Sequence, residues 1–207
     1  AHVSCLAEQA KILVAEGLEN NLDMESRWER WYWCGLCKQQ YHGVVRCALS
    51  WACWKTHVGR PETDQARRSA MTQLGNGLHE GERHQDALSV RVAELSMERR
   101  LGAPEEQLLD AQSNLTMTYQ ALGRFQESLH LRRDVYSGHL RLYGEEHENA
   151  LISASNYASS LMLLRRFEEA KALLRKMTPV ARRVLGESYE LTLKMRGHYA
   201  EALCRDT

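Results

Sequence analysis

The sequence predicts an all-α fold of stacked helical hairpins, on three observations. First, the chain repeats itself: at a shift of 42 residues Leu109 meets Leu151 and Leu193, Asn114 meets Asn156, Arg124 meets Arg166, Phe125 meets Phe167, and Gly102 meets Gly144 and Gly186. A fixed period of this length marks a solenoid. Second, the apolar spacing inside each unit is helical. Leu115, Tyr119 and Leu122 fall at i, i+4 and i+7, and Phe125, Leu129 and Leu131 open a second helix after the connector at Gly123 and Arg124. Third, no stretch shows the alternation of apolar and polar residues that a strand requires.

From the N-terminus, His2-Val3-Ser4-Cys5 is an H-x2-C pair. It leads into CLAEQAKILVAEGLENN, where Leu6, Ala10, Leu13 and Val14 share one side and predict an amphipathic helix. WYWCGLCKQQYHG, residues 31–43, then brings the C-x2-C pair Cys34 and Cys37, separated from Cys5 by 28 residues. Three readings meet here. A redox dithiol needs the first sulfur at a helix N-terminus, where its pKa falls. In the thioredoxin fold such a motif follows a buried strand, and ENNLDMESRWERWY is too charged to be one. Pro61, Pro104 and Pro179 are also poorly placed to face a dithiol. A metal site is the second reading: two residues between ligands let one tight turn direct both side chains at the same tetrahedral zinc ion. The candidate ligands are His2, Cys5, Cys34 and Cys37. Structural thiols packed against tryptophan are the third.

Residues 43–60 form a Trp- and Cys-rich helix and linker. Val44, Val45, Ala48, Trp51, Ala52 and Val58 surround Cys47 and Cys53 at helical spacing, so these two thiols are expected to be buried as small apolar residues, with His57 at the surface. GRPETD, residues 59–64, supplies a boundary, with a helix expected to start near Pro61.

Residues 61–207 hold about three hairpins and a final helix. Arg83 to Gly102 is the second helix of an early, less regular unit with one extra residue near Gly81, and Glu187 to Leu203 supplies only a first helix. A single hairpin cannot cover its apolar face, so neighbouring hairpins must stack to form the core. Small or polar residues make a separate stripe on each first helix: Ala111, Asn114 and Thr118 in one unit, Ser153, Asn156 and Ser160 in the next. The stripe is either a solvated or tightly packed face, or the lining of a binding groove.

These units resemble tetratricopeptide repeats of the kinesin-light-chain kind, through YGEEHENAL at 143–151, Asn156-Tyr157-Ala158, and Arg166-Phe167-Glu168-Glu169-Ala170. Glu148 stands where that pattern has proline after its histidine. The resemblance covers roughly residues 62 to 204. It implies a right-handed superhelix that binds a protein or extended peptide in a concave groove, with asparagines holding the peptide backbone. Asn114, Thr118, Asn156 and Ser160 are the residues it puts forward, an amide offering both donor and acceptor.

His2, Cys5 and Leu6, a tryptophan at Trp31 or Trp33, and Cys34 with Cys37 resemble the C-terminal half of a RING-CH zinc finger, over residues 1–42. What this implies is a zinc cofactor with an incomplete ligand set, because the first two ligand pairs of that finger are not in the chain. It also implies a parent ubiquitin ligase in which the complete finger recruits a conjugating enzyme, Lys38 touching the conjugate, while the repeats select the substrate. No nucleophile is needed for that activity.

With 27 basic and 27 acidic residues, the chain carries no charge excess that points to nucleic acid. The longest mainly apolar run, GVVRCALSWACW, is far shorter than the roughly 20 residues of a membrane span. Five of six cysteines precede residue 55. That clustering favours local metal chemistry and a reducing, cytoplasmic setting over a disulfide framework. Ala1 at the start, and no stop signal through Asp206 and Thr207, read as a piece of a longer protein. The remaining histidines and the acidic pairs make no catalytic constellation, and the repeats read as a binding surface.

Overall fold

The computed structural model describes residues 2–205, so the expectation drawn from Ala1, Asp206 and Thr207 lies outside the described residues. Among those residues the regular elements are helical: α1 (Val3–Glu19), α2 (Met24–Trp28), a 3₁₀ turn (Glu29–Trp31), α3 (Gly43–His57), α4 (Gln65–Glu80), α5 (His84–Arg100), α6 (Glu105–Ala121), α7 (Phe125–Tyr143), α8 (Glu148–Leu163), α9 (Phe167–Leu185) and α10 (Glu190–Cys204). An isolated antiparallel bridge joins Trp33 to Gln40. The chain divides into two compact units, residues 1–101 and 102–207.

The hairpin turns show why the repeat is legible. Each consists of three residues, the middle one left-handed: Glu82 at φ 60°, Gly123 at 71° and Arg165 at 58°. The amides of Arg83, Arg124 and Arg166 then donate back to the carbonyls of Leu78, Tyr119 and Leu161, each at 2.8 Å. The same arginines open the next helix and pair with an acid three residues on, Asp86, Glu127 and Glu169 respectively. These pairs are exposed and screened by water, so they add little to stability. Their value is positional, since an acid in the first turn also meets the helix dipole favourably. No residue is inserted at Gly81: the turn after α4 has the same length as the others, and Arg83 precedes Arg124 by 41 residues rather than 42.

In the first unit, α1 and α3 close over a core of Ala10, Val14, Trp31, Cys53 and Ala70. The front segment and α4 therefore share one interior. Trp31 is fully buried, and burying an aromatic ring of that size is among the largest single apolar gains available to a small unit. Cys47 and Cys53 are buried as expected. His57 is not at the surface: it is 2% exposed, its ring 5.2 Å from that of Trp28 and 6.4 Å from that of Trp31. The reason is helical phase, because His57 follows Cys53 by four residues and lies over the same buried face. Helix α4 starts at Gln65 rather than near Pro61. Asp64 takes the N-cap, accepting the amide of Arg67 at 3.1 Å, while Pro61 sits in the preceding turn.

Helices α4 and α5 meet through polar side chains. Arg68 forks onto Glu98, Thr72 bonds Glu94, and Asn76 accepts from Arg91 at 2.9 Å. Arg68, Thr72 and Asn76 are spaced by four along α4, so they form one ladder.

The second unit is α6 to α10, consecutive helices packing against each other. Its main core is apolar and small-residue rich: Leu151, Ala154, Ala158, Leu174, Met177, Ala181 and Met195. At the start of α8, His147 stacks on Tyr143, and its Nδ1 accepts the amide of Asn149 at 3.2 Å. The helix then begins at Glu148, the residue that replaces proline, and the cap comes from the histidine before it.

Candidate functional site

A cavity of about 140 Å³ opens in the second unit, between α6 and α8 and floored by α7. Helix α6 contributes Asp110, Ser113 and Thr116, and α7 contributes Arg132, Val135 and His139. From α8 come Asn149, Ile152, Ser153 and Asn156. These positions recur at three- and four-residue intervals, so each helix turns a stripe toward the same space.

Of the residues put forward for a groove, Asn156 lines this cavity, and its backbone carbonyl accepts from Arg132 Nη1 at 2.6 Å. Among the described residues, no hydrogen bond engages the side-chain amides of Asn156 or Asn114, both half-buried. Thr118 and Ser160 are packed inside instead. Thr118 is fully buried, and Ser160 is 2% exposed with its hydroxyl accepting from Gln120 at 3.3 Å. Ala111 and Ser153 are buried as well, so most of the stripe is packing surface, with one half-buried amide in each of these two hairpins.

The electrostatics of the cavity lie in residues the repeat pattern alone did not single out. Arg132 also reaches Gln120 Oε1 at 2.6 Å through Nη2, its Nε has no partner among the described residues, and burial lowers its pKa to about 10. At the other end, burial and then Glu106 raise the pKa of Asp110, while burial lowers that of His139 below the usual histidine value. A signal for Arg132 was present in the sequence: at the 41-residue spacing it matches Arg91, whereas Glu94 is matched by Val135.

The opening motif forms a tight turn held by extended backbone. Cys34 donates its amide to Gln39 at 2.8 Å, Lys38 donates to the Cys34 carbonyl at 3.1 Å, and Tyr41 donates to Tyr32 at 2.9 Å. Lys38 is left-handed at φ 55°. At Gly35 the Arg30 guanidinium occupies the space that a Cβ would take, so a larger residue there would displace that side chain. The Cys34 sulfur receives hydrogen bonds from the backbone amides of Cys37 and Leu36, from the Cys37 thiol and from the Tyr41 hydroxyl, and its pKa falls to about 7. Two thiols are thus brought together at one turn, one of them ready to ionise near neutrality.

His2 and Cys5 lie at the exposed start of α1. Among the described residues, no three His, Cys, Asp or Glu side chains are grouped so as to hold a metal ion. The donors at the turn suit zinc in kind, but two thiols are half of a tetrahedral set. Among the described residues, no disulfide joins any of the cysteines. Among the described residues, no helix is long and apolar enough to cross a membrane.

Residues 107–183 match the family model of the tetratricopeptide repeat. No curated protein matches the chain by sequence. Among solved structures it is similar to a Podosopora anserina kinesin light chain of nearly identical TPR-like repeats. Identity there is 18% and the TM-score 0.66, over 99% of this chain and 88% of that one, and a point-substituted form of the same protein gives the same identity and score. It is also similar to BtubC (BKLC) from P. vanneervenii, at 16% identity and a TM-score of 0.66, covering 78% of this chain and 66% of that one. The hairpin geometry and these likenesses agree: the fold is that of tetratricopeptide-like repeats, and residues 107–183 match the sequence pattern of that repeat.

Proposed function

We propose that the chain is a protein-interaction scaffold whose second unit holds an extended segment of a partner in the cavity between α6 and α8. The observation that carries this reading is the half-buried amide of Asn156, which lines the cavity without an internal partner among the described residues; Asn114, its equivalent on the preceding first helix, is likewise half-buried and unbonded but lies outside the cavity lining. An extended peptide presents a donor and an acceptor per residue, and a half-desolvated amide gains most from meeting both. The test is a random-peptide display library panned against the full chain. Enriched peptides are expected to bind the Asn114→Ala, Asn156→Ala double variant about tenfold or more weakly, as for central interface residues. Unchanged affinity would remove the groove assignment.

The dithiol turn favours a second reading, in which Cys34 and Cys37 are half of a zinc finger completed by ligands elsewhere and the parent is a ubiquitin ligase of RING-CH type, the repeats choosing its substrate. The parent protein should then autoubiquitinate with a conjugating enzyme present, and its Cys34→Ser, Cys37→Ser variant should not. Equal activity of the two forms sinks the idea.

A further inference from the structure

Asp110 on α6 and His139 on α7 line one end of the cavity together with Asn149 on α8. Neither Asp110 nor His139 belongs to the repeat. The matching positions are Ser69 and Glu98 in the first hairpin, and Ile152 and Ala181 in the third. In the first hairpin Glu98 has its partner inside, because Arg68 forks onto it. The second hairpin keeps a titratable side chain at that place but has Leu109 where Arg68 stands, so His139 must find its partner elsewhere.

His139 is 7% exposed, and neither ring nitrogen closes a hydrogen bond among the described residues. An enclosed imidazole in that state bears the full cost of its desolvated polar atoms. Burial holds the ring neutral at neutral pH, and the Asn149 backbone lies close enough to favour a proton on one nitrogen, which leaves the other as an acceptor. Asp110 is exposed, forms no ion pair among the described residues, and has another acid, Glu106, as a neighbour. The basic residue of the lining, Arg132, stands seven residues before His139, about 10 Å along α7, and its bonds go to Gln120 and Asn156. This end of the cavity therefore collects acceptors: a carboxylate, an imidazole nitrogen and the side-chain oxygen of Asn149.

We infer that this end of the cavity takes a protonated primary amine carried by the bound segment, its charge set against Asp110 and one N–H donated to His139. The inference rests on the groove reading above and names the chemistry of one side group of its occupant. An ammonium has three donors and no acceptor, the complement of a carboxylate, a neutral imidazole and an amide oxygen. Its bond to Asp110 is charge-assisted on both sides, the strong kind. An uncharged alkyl chain of the same length would leave Asp110 beside Glu106 uncompensated and the His139 nitrogen still unmatched, so selection here is for charge.

The experiment is an NMR titration of the full ¹⁵N-labelled chain with three glycine- and serine-based hexapeptides. One is blocked at both ends and has a central lysine, one is blocked and has norleucine in its place, and one is otherwise neutral with a free N-terminal amine. The reporters are the His139 ring nitrogens, whose shifts read whether the acceptor is bonded, and the Asn149 side-chain amide. A peptide bearing the amine is expected to shift both, the responsive one identifying the source as side chain or chain terminus, while the norleucine peptide leaves the His139 ring unmoved. Asp110→Asn, which keeps the shape of an exposed side chain, should weaken the amine peptides about tenfold and leave the norleucine peptide unchanged, as for loss of a bond to a charged group. Asp110→Ile, the residue of the third hairpin, should abolish the amine response with the fold intact by circular dichroism.

If the norleucine peptide shifts the His139 ring as strongly as the lysine peptide, or if Asp110→Asn binds the amine peptides unchanged, the amine inference is overturned. If all three shift Ser113 and Asn156 alike with His139 silent, the inference falls and the groove reading stands. If the amine peptides shift His139 and the Asn114→Ala, Asn156→Ala variant binds them equally well, the amine site stands and the groove reading falls. If no lining signal responds at about 10 mM peptide, well above the Kd of even a weak millimolar site, both fall.

Discussion

The imidazole of His57 stands edge-on to the indole of Trp31, their ring centroids 6.4 Å apart and their planes at 81°. This contact ties the end of α3 to the turn that precedes the cysteine pair, and it depends on a neutral ring. Burial, with Arg60 adding to it, lowers the His57 pKa below the usual 6.5. The unfolded chain therefore binds the proton more readily than the folded one, so stability is full above about pH 6.5 and falls as the pH drops from there toward the folded-state value. Thermal unfolding midpoints between pH 8 and 5 should decline, and His57→Phe, which keeps an aromatic ring in place, should flatten the decline. An unchanged pH dependence in that variant would assign the slope to His79, His139 and His198, whose pKa values burial also lowers.

Cys34 should be the first thiol to react. The amides of Cys37 and Leu36 and the Tyr41 hydroxyl stabilise its thiolate, so iodoacetamide labelling read by peptide mass spectrometry should reach half its limiting rate near pH 7 at Cys34. Cys53, whose pKa burial raises, should label only on unfolding. Tyr41→Phe removes one donor to the sulfur and should move the Cys34 profile to higher pH. An identical profile in that variant would mean that the backbone amides and the Cys37 thiol set the reactivity without the tyrosine.

The ion pair between Arg68 and Glu98 is nearly enclosed, with 8% of the Glu98 side chain exposed. Removing one member strands the other, so Glu98→Ala should cost about 3–5 kcal/mol in denaturant unfolding. The matching positions in the third hairpin are Leu151 and Ala181, an apolar pair in its core. The double variant Arg68→Leu, Glu98→Ala should accordingly recover most of the loss, because the hairpin accepts either solution. A double variant no more stable than Glu98→Ala alone would show that the α4–α5 ladder requires its charges.

Much of this protein was written in its periodicity. Apolar residues at helical spacing and the recurring Gly102, Gly144 and Gly186 are local signals, so the hairpins and their order followed from the chain alone, while the length of the turn at Gly81 did not. The burial of Cys47 and Cys53 was equally legible, since both fall on the apolar side of one helix. Tertiary packing decided the rest. His57 was expected at the surface, yet the phase of α3 and the rings of Trp28 and Trp31 draw it in. Thr118 and Ser160 share a stripe with Asn114 and Asn156, and only the approach of neighbouring helices determines which of the four are enclosed and which keep a side chain in open space. The charge of Arg132 was visible in the sequence from the start. That its guanidinium meets the neutral oxygens of Gln120 on α6 and Asn156 on α8 is a fact about three helices at once, which only their packing decides.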